Sequence, residues 1–372
     1  MRVLEPQCRL GWSAMSGKPA SAQEHAASEM PRSWARRRLI QVLPVLAAAS
    51  TGAAQPAYAS SAARNAVLMD KSFGVKGDGR TNDRSSLQAA IDQSLGQTLM
   101  ITGDCRIDAV GLALRSGSRV RFAPGASIKL LPHNASFYQI MRIWDVRDVI
   151  LEGATLDGSR ELNAAPNDPH NGGYGMGISI AGSSNITLIS PTTTGCWGDG
   201  IYIANSYSSK STWPSDIRVL DHRASRCRRQ GVSIISGANI VFERPVWESI
   251  GGTLPSAGLD IEPNNNLDIL HDIRIESPTT RNCRTGILMY LQMLAGPKPQ
   301  YVQIKITDHR DEASAFAPLD ISGLELKGAV VKGRIVIDSS KWVSPRLSTL
   351  RSEDYDRVHG PQIIVSNQRI IP

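Results

Sequence analysis

Two short patterns recur through the middle of the chain and constrain its fold more than any other feature. The first is a glycine followed by an apolar, a variable and an apolar residue; its glycines are spaced 23, 31, 27 and 28 residues apart, at Gly177, Gly200, Gly231, Gly258 and Gly286. The second is Asn or Asp followed by alternating apolar residues, beginning at Asp148, Asn185, Asp216, Asn239 and Asp272. Alternation with a period of two indicates short β-strands.

Repeated units of this size predict a parallel β-helix. A unit of two or three short strands cannot bury its own apolar face, whereas stacked units share one continuous core. A β-sandwich is the structural alternative, but its hairpins would need tight Asn-Gly or Asp-Gly turns, which do not occur between the repeats. Cys196, Cys227 and Cys283 lie three or four residues before their glycines, so we expect a ladder of buried thiols on neighbouring coils.

The segment Phe73–Asp83, a glycine-rich turn, and the apolar positions of the Leu87–Ile91 segment after it resemble the opening of the pectate-lyase-like superfamily. The resemblance implies an all-β fold, a single-stranded right-handed parallel β-helix, over nearly all of residues 65–340. It also implies that the segment after Asp83 is a helix that caps the first coil, and Asp83 is placed to cap the first turn of that helix. Because the superfamily contains hydrolases, lyases, epimerases and phage tailspikes, the resemblance leaves the reaction open.

The order of the middle coils is most similar to that of the polygalacturonase and rhamnogalacturonase group. Gly198 replaces one aspartate of that group's paired-aspartate coil, and Gln230 stands in the place of its histidine. Asp260 and Glu262 replace an arginine and a lysine. These departures argue against a polygalacturonase, and they imply that the subsite on the Asp260 coil is not made to hold a uronate carboxylate.

The N-terminal region has the three parts of an export signal. Arg36-Arg37-Arg38 precedes an apolar segment at 39–49, and Ala57-Tyr58-Ala59 forms a small-x-small cleavage site before Ser60. The arginines resemble a twin-arginine signal. The sequence therefore predicts a secreted or periplasmic protein with residues 1–59 as a cleaved extension. The β-helix domain would span 60–372, with a capping segment at 70–96 and a C-terminal cap or tail at about 340–372.

Charge and hydropathy limit the classes of partner that the chain is expected to bind. Of the net charge of +7, the first 59 residues contribute +4, with seven Lys or Arg and three Glu. The remainder has no basic tract interleaved with aromatic residues, so no nucleic-acid partner is expected. No apolar run reaches the roughly 18 residues of a membrane-spanning helix, so no membrane insertion is expected after removal of the signal. No ligand spacing indicates a metal site, and no cofactor is expected.

The phase of the repeat predicts a site on one outer face. Ile201, Val232 and Leu259 should point inward, so the variable positions between apolar residues should point outward. Stacked coils are roughly 4.8 Å apart, which puts Asp199 and Asp260 on the order of 10 Å apart along the axis. We predict Asp260, Glu262 and Asp199 as catalytic residues. The predicted substrate-binding residues are Arg228, Arg229, Gln230, Trp197, Tyr202 and His170, with the rings of Trp197 and Tyr202 as a platform for a sugar.

Carboxylates in this arrangement favour a glycoside hydrolase that acts on a polysaccharide. Asp260 or Glu262 would protonate the leaving oxygen, and the other carboxylate with Asp199 would activate water. One alternative is a polysaccharide lyase or epimerase on an acidic glycan, with Arg228 or Arg229 and His170 serving the reaction; such an enzyme would need a charge neutraliser, calcium or arginine. The other alternative is a glycan-binding solenoid without catalysis.

Overall fold

The computed structural model describes residues 67–165, 173–347 and 349–372. The predicted export signal and His170 lie outside the described residues. The described chain forms three sheets of 11, 11 and 8 strands, and every pairing within them is parallel. The predicted parallel β-helix is therefore confirmed. The strands follow one another in the order sheet A, sheet B, sheet C through most coils.

The three sheets and the helices have the following bounds. Sheet A contains Val67–Met69, Thr98–Ile101, Arg119–Phe122, Arg147–Glu152, Ser184–Ile189, Ser215–Leu220, Gly237–Glu243, Leu270–Glu276, Gln300–Thr307, Val331–Asp338 and Gln362–Ser366. Sheet B contains Asp78–Asn82, Asp104–Ile107, Ser127–Leu130, Thr155–Asp157, Thr192–Thr194, Arg223–Ser225, Val246–Glu248, Thr279–Arg281, Arg310–Glu312, Lys341–Val343 and Arg369–Ile371. Sheet C contains Leu112–Ala113, Phe137–Trp144, Tyr174–Ala181, Asp199–Ala204, Gln230–Ile234, Ala257–Ile261, Thr285–Tyr290 and Ala317–Ser322. The α-helix is Arg84–Gln93, and short 3-10 helices span Asp70–Phe73, Arg160–Leu162 and Gln292–Leu294.

The glycine pattern marks the start of the sheet C strands, and its in-and-out phase is as predicted. Ile201 pairs with Val232, and Val232 pairs with Leu259. All three side chains are fully buried in the core. The glycine itself lets adjacent coils approach closely, because a Cβ at Gly231 would lie 2.5 Å from the carbonyl oxygen of Gly258. Only glycine fits this position without movement of the backbone.

Corners of constant geometry hold sheets A and B together. From Arg147–Glu152 onward, each of eight corners between a sheet A strand and the next sheet B strand has two residues. The first residue of each corner is left-handed, with φ between 49 and 66°: Gly153, Ser190, Asp221, Arg244, Ser277, Asp308, Ser339 and Asn367. The Asn and Asp residues of the second repeat are also left-handed, which short polar side chains tolerate.

Sheet C, in contrast, is bordered by connections of variable length. The connections that leave its strands range from two residues, at 145–146, to ten residues, at 205–214. Those that enter range from three residues, at 282–284, to eight, at 249–256, among strands after residue 194. The longer connections therefore flank the outer face of sheet C, where they can form the walls of a groove.

The predicted helix forms at the N-terminal end and buries Leu87, Ala90 and Ile91 in the common core. Asp83 does not cap the first turn of this helix, which corrects the expectation. Its carboxylate instead accepts hydrogen bonds from the backbone amides of Lys76 and Gly77, at 2.7 and 2.8 Å, so it closes the glycine-rich turn.

Four further observations complete the fold. Cys196, Cys227 and Cys283 are buried free thiols, as the ladder predicted, and Cys105 is a buried free thiol as well. At the other end, strands Lys341–Val343, Gln362–Ser366 and Arg369–Ile371 extend sheets A and B. Among the described residues, no helix has the length and apolar character needed to cross a membrane. Within the same residues, no group of three or more His, Cys, Asp and Glu side chains is arranged to hold a metal ion.

Candidate active site

A row of side chains on the outer face of sheet C brings the predicted carboxylates together. Tyr202 pairs with Ser233, and Ser233 pairs with Asp260 on the following strand. Asp199 and Gln230 form a parallel row one position before the glycines. Hydrogen bonds join the two rows. In each repeat, therefore, the residue before the glycine and the second residue after it lie on the same face of sheet C. We call Asp199, Arg229, Gln230, Asp260 and Glu262 the carboxyl cluster.

Asp199 is held between a hydroxyl and a guanidinium. Its Oδ2 accepts a hydrogen bond from Ser233 Oγ at 3.0 Å, and its Oδ1 lies 3.3 Å from Arg229 Nε. The side chain is fully buried. Burial outweighs the attraction of Arg229 and the hydrogen bond from Ser233, so the pKa of Asp199 is raised to about 6. At neutral pH the carboxylate is therefore mostly ionised, yet it is a stronger base than an exposed aspartate.

Asp260 also lies in an environment that favours its protonated form. Its Oδ2 accepts a hydrogen bond from Gln230 Nε2 at 2.7 Å, and Gln230 Oε1 is fixed by the amide of Ala257 at 2.8 Å. Asp260 is fully buried, whereas Glu262, two residues on, is half-buried. Burial raises the pKa of Asp260 well above its usual value, and the neighbouring charge of Glu262 raises it further. Asp260 therefore binds a proton more readily than an exposed aspartate does.

Arg229 is the cation of the cluster, and its side chain is 13% exposed. Burial by itself lowers the pKa of this guanidinium, but the charges of Asp199, Glu262 and Asp260 outweigh burial and raise the pKa. The guanidinium carbon also lies 5.8 Å from the centre of the Tyr174 ring. Arg229 thus balances the acidic groups and is charged at neutral pH.

The middle strand, Gln230–Ile234, sets the spacing between the acidic groups. Two strand spacings separate the Asp199 strand from the Asp260 strand, on the order of 10 Å. Both carboxyls bond to the middle strand, Asp199 through Ser233 and Asp260 through Gln230. Both carboxyls are therefore anchored to the same middle strand, one from each side.

The predicted aromatic platform is wrong, because neither ring is open to solvent. Trp197 is 4% exposed and belongs to the main core. Tyr202 is 7% exposed and packs with Met176, Ala204 and Ile235 in a separate cluster on the outer face. Met176 and Ile235 come from neighbouring coils, and their approach to Tyr202 cannot be read from the local repeat. Burial also raises the pKa of the Tyr202 hydroxyl well above its usual value.

Arg228 is buried beside Trp197, so its predicted role as an exposed substrate-binding residue is corrected. It is fully buried, and its guanidinium carbon lies 4.7 Å from the centre of the Trp197 ring. Its side chain also approaches Gly173 and Gly252 so closely that a Cβ at either glycine would lie within 3 Å of it. Arg228 therefore packs the corner between sheets B and C, while the next residue, Arg229, turns to the groove.

Two contributors to the cluster were missed from the sequence. Ser233 occupies the variable position of its repeat, so the repeat phase already indicated its outward direction, but nothing marked it as the partner of Asp199. Tyr174 lies four residues after His170 in the sequence, and its place beside Arg229 had no sequence signal.

Comparison with known proteins adds information on the fold. No protein-family model matches the chain. A curated relative, the uncharacterized protein YclG of Bacillus subtilis (strain 168), is 22% identical over 246 residues, which cover 59% of this chain and 42% of that protein. The N-terminal fragment of gene product 12 from bacteriophage phi29 superposes with a TM-score of 0.61 at 15% identity, over 82% of this chain and 56% of that chain.

A second similar structure is a mutant tailspike protein of the E. coli bacteriophage HK620 in complex with hexasaccharide. Its TM-score is 0.58 at 11% identity, over 82% of this chain and 57% of that chain. The chain thus spans about half the length of the proteins it matches. These likenesses and the all-parallel sheets agree with the resemblance stated from the sequence: the chain has the pectate-lyase-like right-handed parallel β-helix fold.

Proposed function

We propose that the outer face of sheet C is the active site of an enzyme that hydrolyses glycosidic bonds in a polysaccharide. The observation that carries the proposal is the convergence of three carboxyls, those of Asp199, Asp260 and Glu262, around the guanidinium of Arg229 on one face of sheet C. Burial and the neighbouring charge of Glu262 raise the pKa of Asp260 well above its usual value, and burial raises the pKa of Asp199, beside Arg229, only to about 6. Groups whose environments drive their pKa values apart are those that serve as acid and base in one reaction.

In the proposed reaction, Glu262 protonates the oxygen of the leaving sugar, because it is the carboxyl of its pair that reaches solvent. In this proposal Asp260, the fully buried carboxyl of the pair, is the source of the proton that Glu262 transfers. Asp199 takes a proton from the attacking water. A base that contacts only water needs no more access than one water molecule, so its burial agrees with this role. The chemistry needs no cofactor, and calcium would be required only in the lyase alternative.

The structural comparison supports a glycan partner at the level of analogy. The tailspike protein of similar fold was crystallised in complex with hexasaccharide. We also propose that the chain is exported and that the mature protein begins near Ser60, which N-terminal sequencing of protein from the cell envelope would test. An intact N-terminus on cytoplasmic protein would contradict this part of the proposal.

The experiment is a product analysis with the full chain on a panel of acidic and neutral bacterial and plant glycans. Hydrolysis gives new reducing ends without the ultraviolet absorbance of an unsaturated uronate. Glu262→Gln should lower turnover by about 10²–10⁴-fold, the usual contribution of a positioned acid. Arg223→Gln is the matched control, since Arg223 is exposed on sheet B, and should leave turnover unchanged. Near-full activity of Glu262→Gln would refute the assignment.

Glycan binding without catalysis is the second candidate, and one observation favours it. Both Asp199 and Asp260 are fully buried, so their hydrogen bonds to the middle strand stabilise the stack whether or not a reaction takes place. A panel that shows binding but no product would establish this candidate. Unsaturated products would instead establish the lyase alternative.

A further inference from the structure

A second group of charged and aromatic side chains lies on the same face, beyond the carboxyl cluster. The guanidinium carbon of Arg284 is 4.6 Å from the centre of the Phe316 ring, and that of Arg351 is 4.9 Å from the same centre. Phe316 and both arginines are half-buried. One aromatic ring therefore holds two guanidinium groups in fixed positions, each by a cation–π contact.

The two arginines differ in their charge balance. Arg351 Nη1 donates to Asp320 Oδ2 at 2.6 Å, and Arg351 also donates to Glu353, so carboxylates neutralise it. No carboxylate in the described ranges forms an ion pair with Arg284. Arg284 thus keeps an uncompensated positive charge on a side chain that Phe316 orients.

Register relates Arg284 to the carboxyl cluster. Arg229 lies one residue before Gln230, and Arg284 lies one residue before Thr285. Gln230 and Thr285 both pair with the strand between them, so the two arginines are two strands apart. The charge of Arg229 is balanced by Asp199, whereas the charge of Arg284 is not. The strand after Arg284 pairs directly with the Asp260 strand, roughly 5 Å away along the axis. A ligand group on Arg284 would therefore belong to a sugar next to the one at Glu262.

We propose that Arg284 binds an acidic group of the glycan, a carboxylate or a sulfate, so that the substrate is an acidic polysaccharide. The proposal rests on the function proposed above. A guanidinium offers two parallel N–H donors that match the oxygens of such a group, and the stacked ring reduces the entropy lost on binding. The acidic group is held one strand beyond the reacting bond, which agrees with the absence of a cation from the Asp260 and Glu262 positions.

The test is a binding measurement in the Glu262→Gln background, which does not depend on turnover. The probes are a uronate polymer, its carboxyl-reduced form, a sulfated polymer and its desulfated form, at low and moderate salt. The Glu262→Gln protein should bind at least one acidic polymer more tightly than the neutral form of that polymer. A loss of affinity on carboxyl reduction would show that a carboxylate is bound, and a loss on desulfation would show that a sulfate is bound. Adding Arg284→Gln should weaken that binding at least about tenfold and reduce its salt dependence.

Two control variants complete the test. Adding Arg284→Lys should retain part of the affinity, because the charge remains, and adding Arg223→Gln should change nothing. Equal binding with and without Arg284→Gln, a preference for the neutral forms, or no binding to any acidic polymer would overturn the inference. Hydrolysis of neutral glycans alone would overturn it while leaving the proposed function intact. Arg284-dependent binding with no product from any glycan would overturn the proposed hydrolysis alone.

Discussion

Replacement of Arg229 tests the electrostatic logic of the carboxyl cluster directly. Arg229 Nε is 3.3 Å from Asp199 Oδ1, and the two side chains are 13% and 0% exposed. A cation this close and this poorly screened lowers the pKa of a carboxyl by about one to three. Arg229→Gln should therefore raise the pKa of Asp199 from about 6 to roughly 7–9, because burial would act without its main opposing charge.

The pKa can be measured by NMR titration of protein labelled with ¹³C at the aspartate carboxyls. The Asp199 signal is identified by its loss in Asp199→Asn. Arg229→Lys keeps the charge and should leave the pKa close to that of the unsubstituted protein, and Arg223→Gln should have no effect. If a substrate is found, the acidic limb of kcat/KM should move upward with the same variant, because a protonated Asp199 cannot activate water.

Two results would refute this reasoning. An Asp199 pKa that stays at about 6 in Arg229→Gln would show that Arg229 does not set the charge of this group. A shift of the same size in Arg223→Gln would show that the effect comes from net charge and not from contact. Circular dichroism and a thermal transition at the usual temperature establish that Arg229→Gln is folded before either result is interpreted.

Two further predictions concern stability, each measured by urea unfolding of the full chain. Gly231→Ala should destabilise the protein by about 1–3 kcal/mol, because its Cβ would lie 2.5 Å from the carbonyl oxygen of Gly258. The control Gly251→Ala, with no atom within 4 Å of its Cβ, should be neutral or slightly stabilising. Equal losses of stability in the two variants would contradict the close approach of the coils. The raised pKa of Asp199 means that its ionisation opposes folding, so this group costs up to about 3 kcal/mol as pH rises from about 4 to 7. Asp199→Asn should match the unsubstituted protein near pH 4 and exceed it in stability near pH 7, and parallel pH curves would contradict the assigned pKa.

The sequence contained enough information for the coil architecture because the repeat expresses it locally. The alternation around Ile201 and Val232 specifies which side faces the core, and the glycines mark where neighbouring backbones meet. The same phase correctly placed Asp260 and Ser233 on the outer face. These features depend only on residues within one strand and its immediate neighbours.

Burial of the outer face could not be predicted in the same way, because it depends on contacts between distant segments. Tyr202 is covered by Met176 and Ile235, which belong to different coils. The different environments of the adjacent residues Arg228 and Arg229 are a second example of a feature that the sequence did not predict. Arg228 stacks on Trp197 while Arg229 contacts Asp199, and no local pattern distinguishes the two side chains. The Arg284–Phe316 pair escaped notice for a similar reason, since 31 residues separate two side chains that become neighbours only through stacking.

The two-residue corners between sheets A and B divide the surface into two sides with different freedom to change. On one side, a left-handed residue at each corner keeps every coil at the same pitch, so an insertion there would break the stack. On the other side, connections of two to ten residues leave sheet C without disturbing the strands they join. Binding preference can therefore diverge by exchange of the segments beside sheet C, such as 205–214, while folding stays the same. The protein is accordingly a suitable scaffold for loop grafting, with sheets A and B as its unchanged frame.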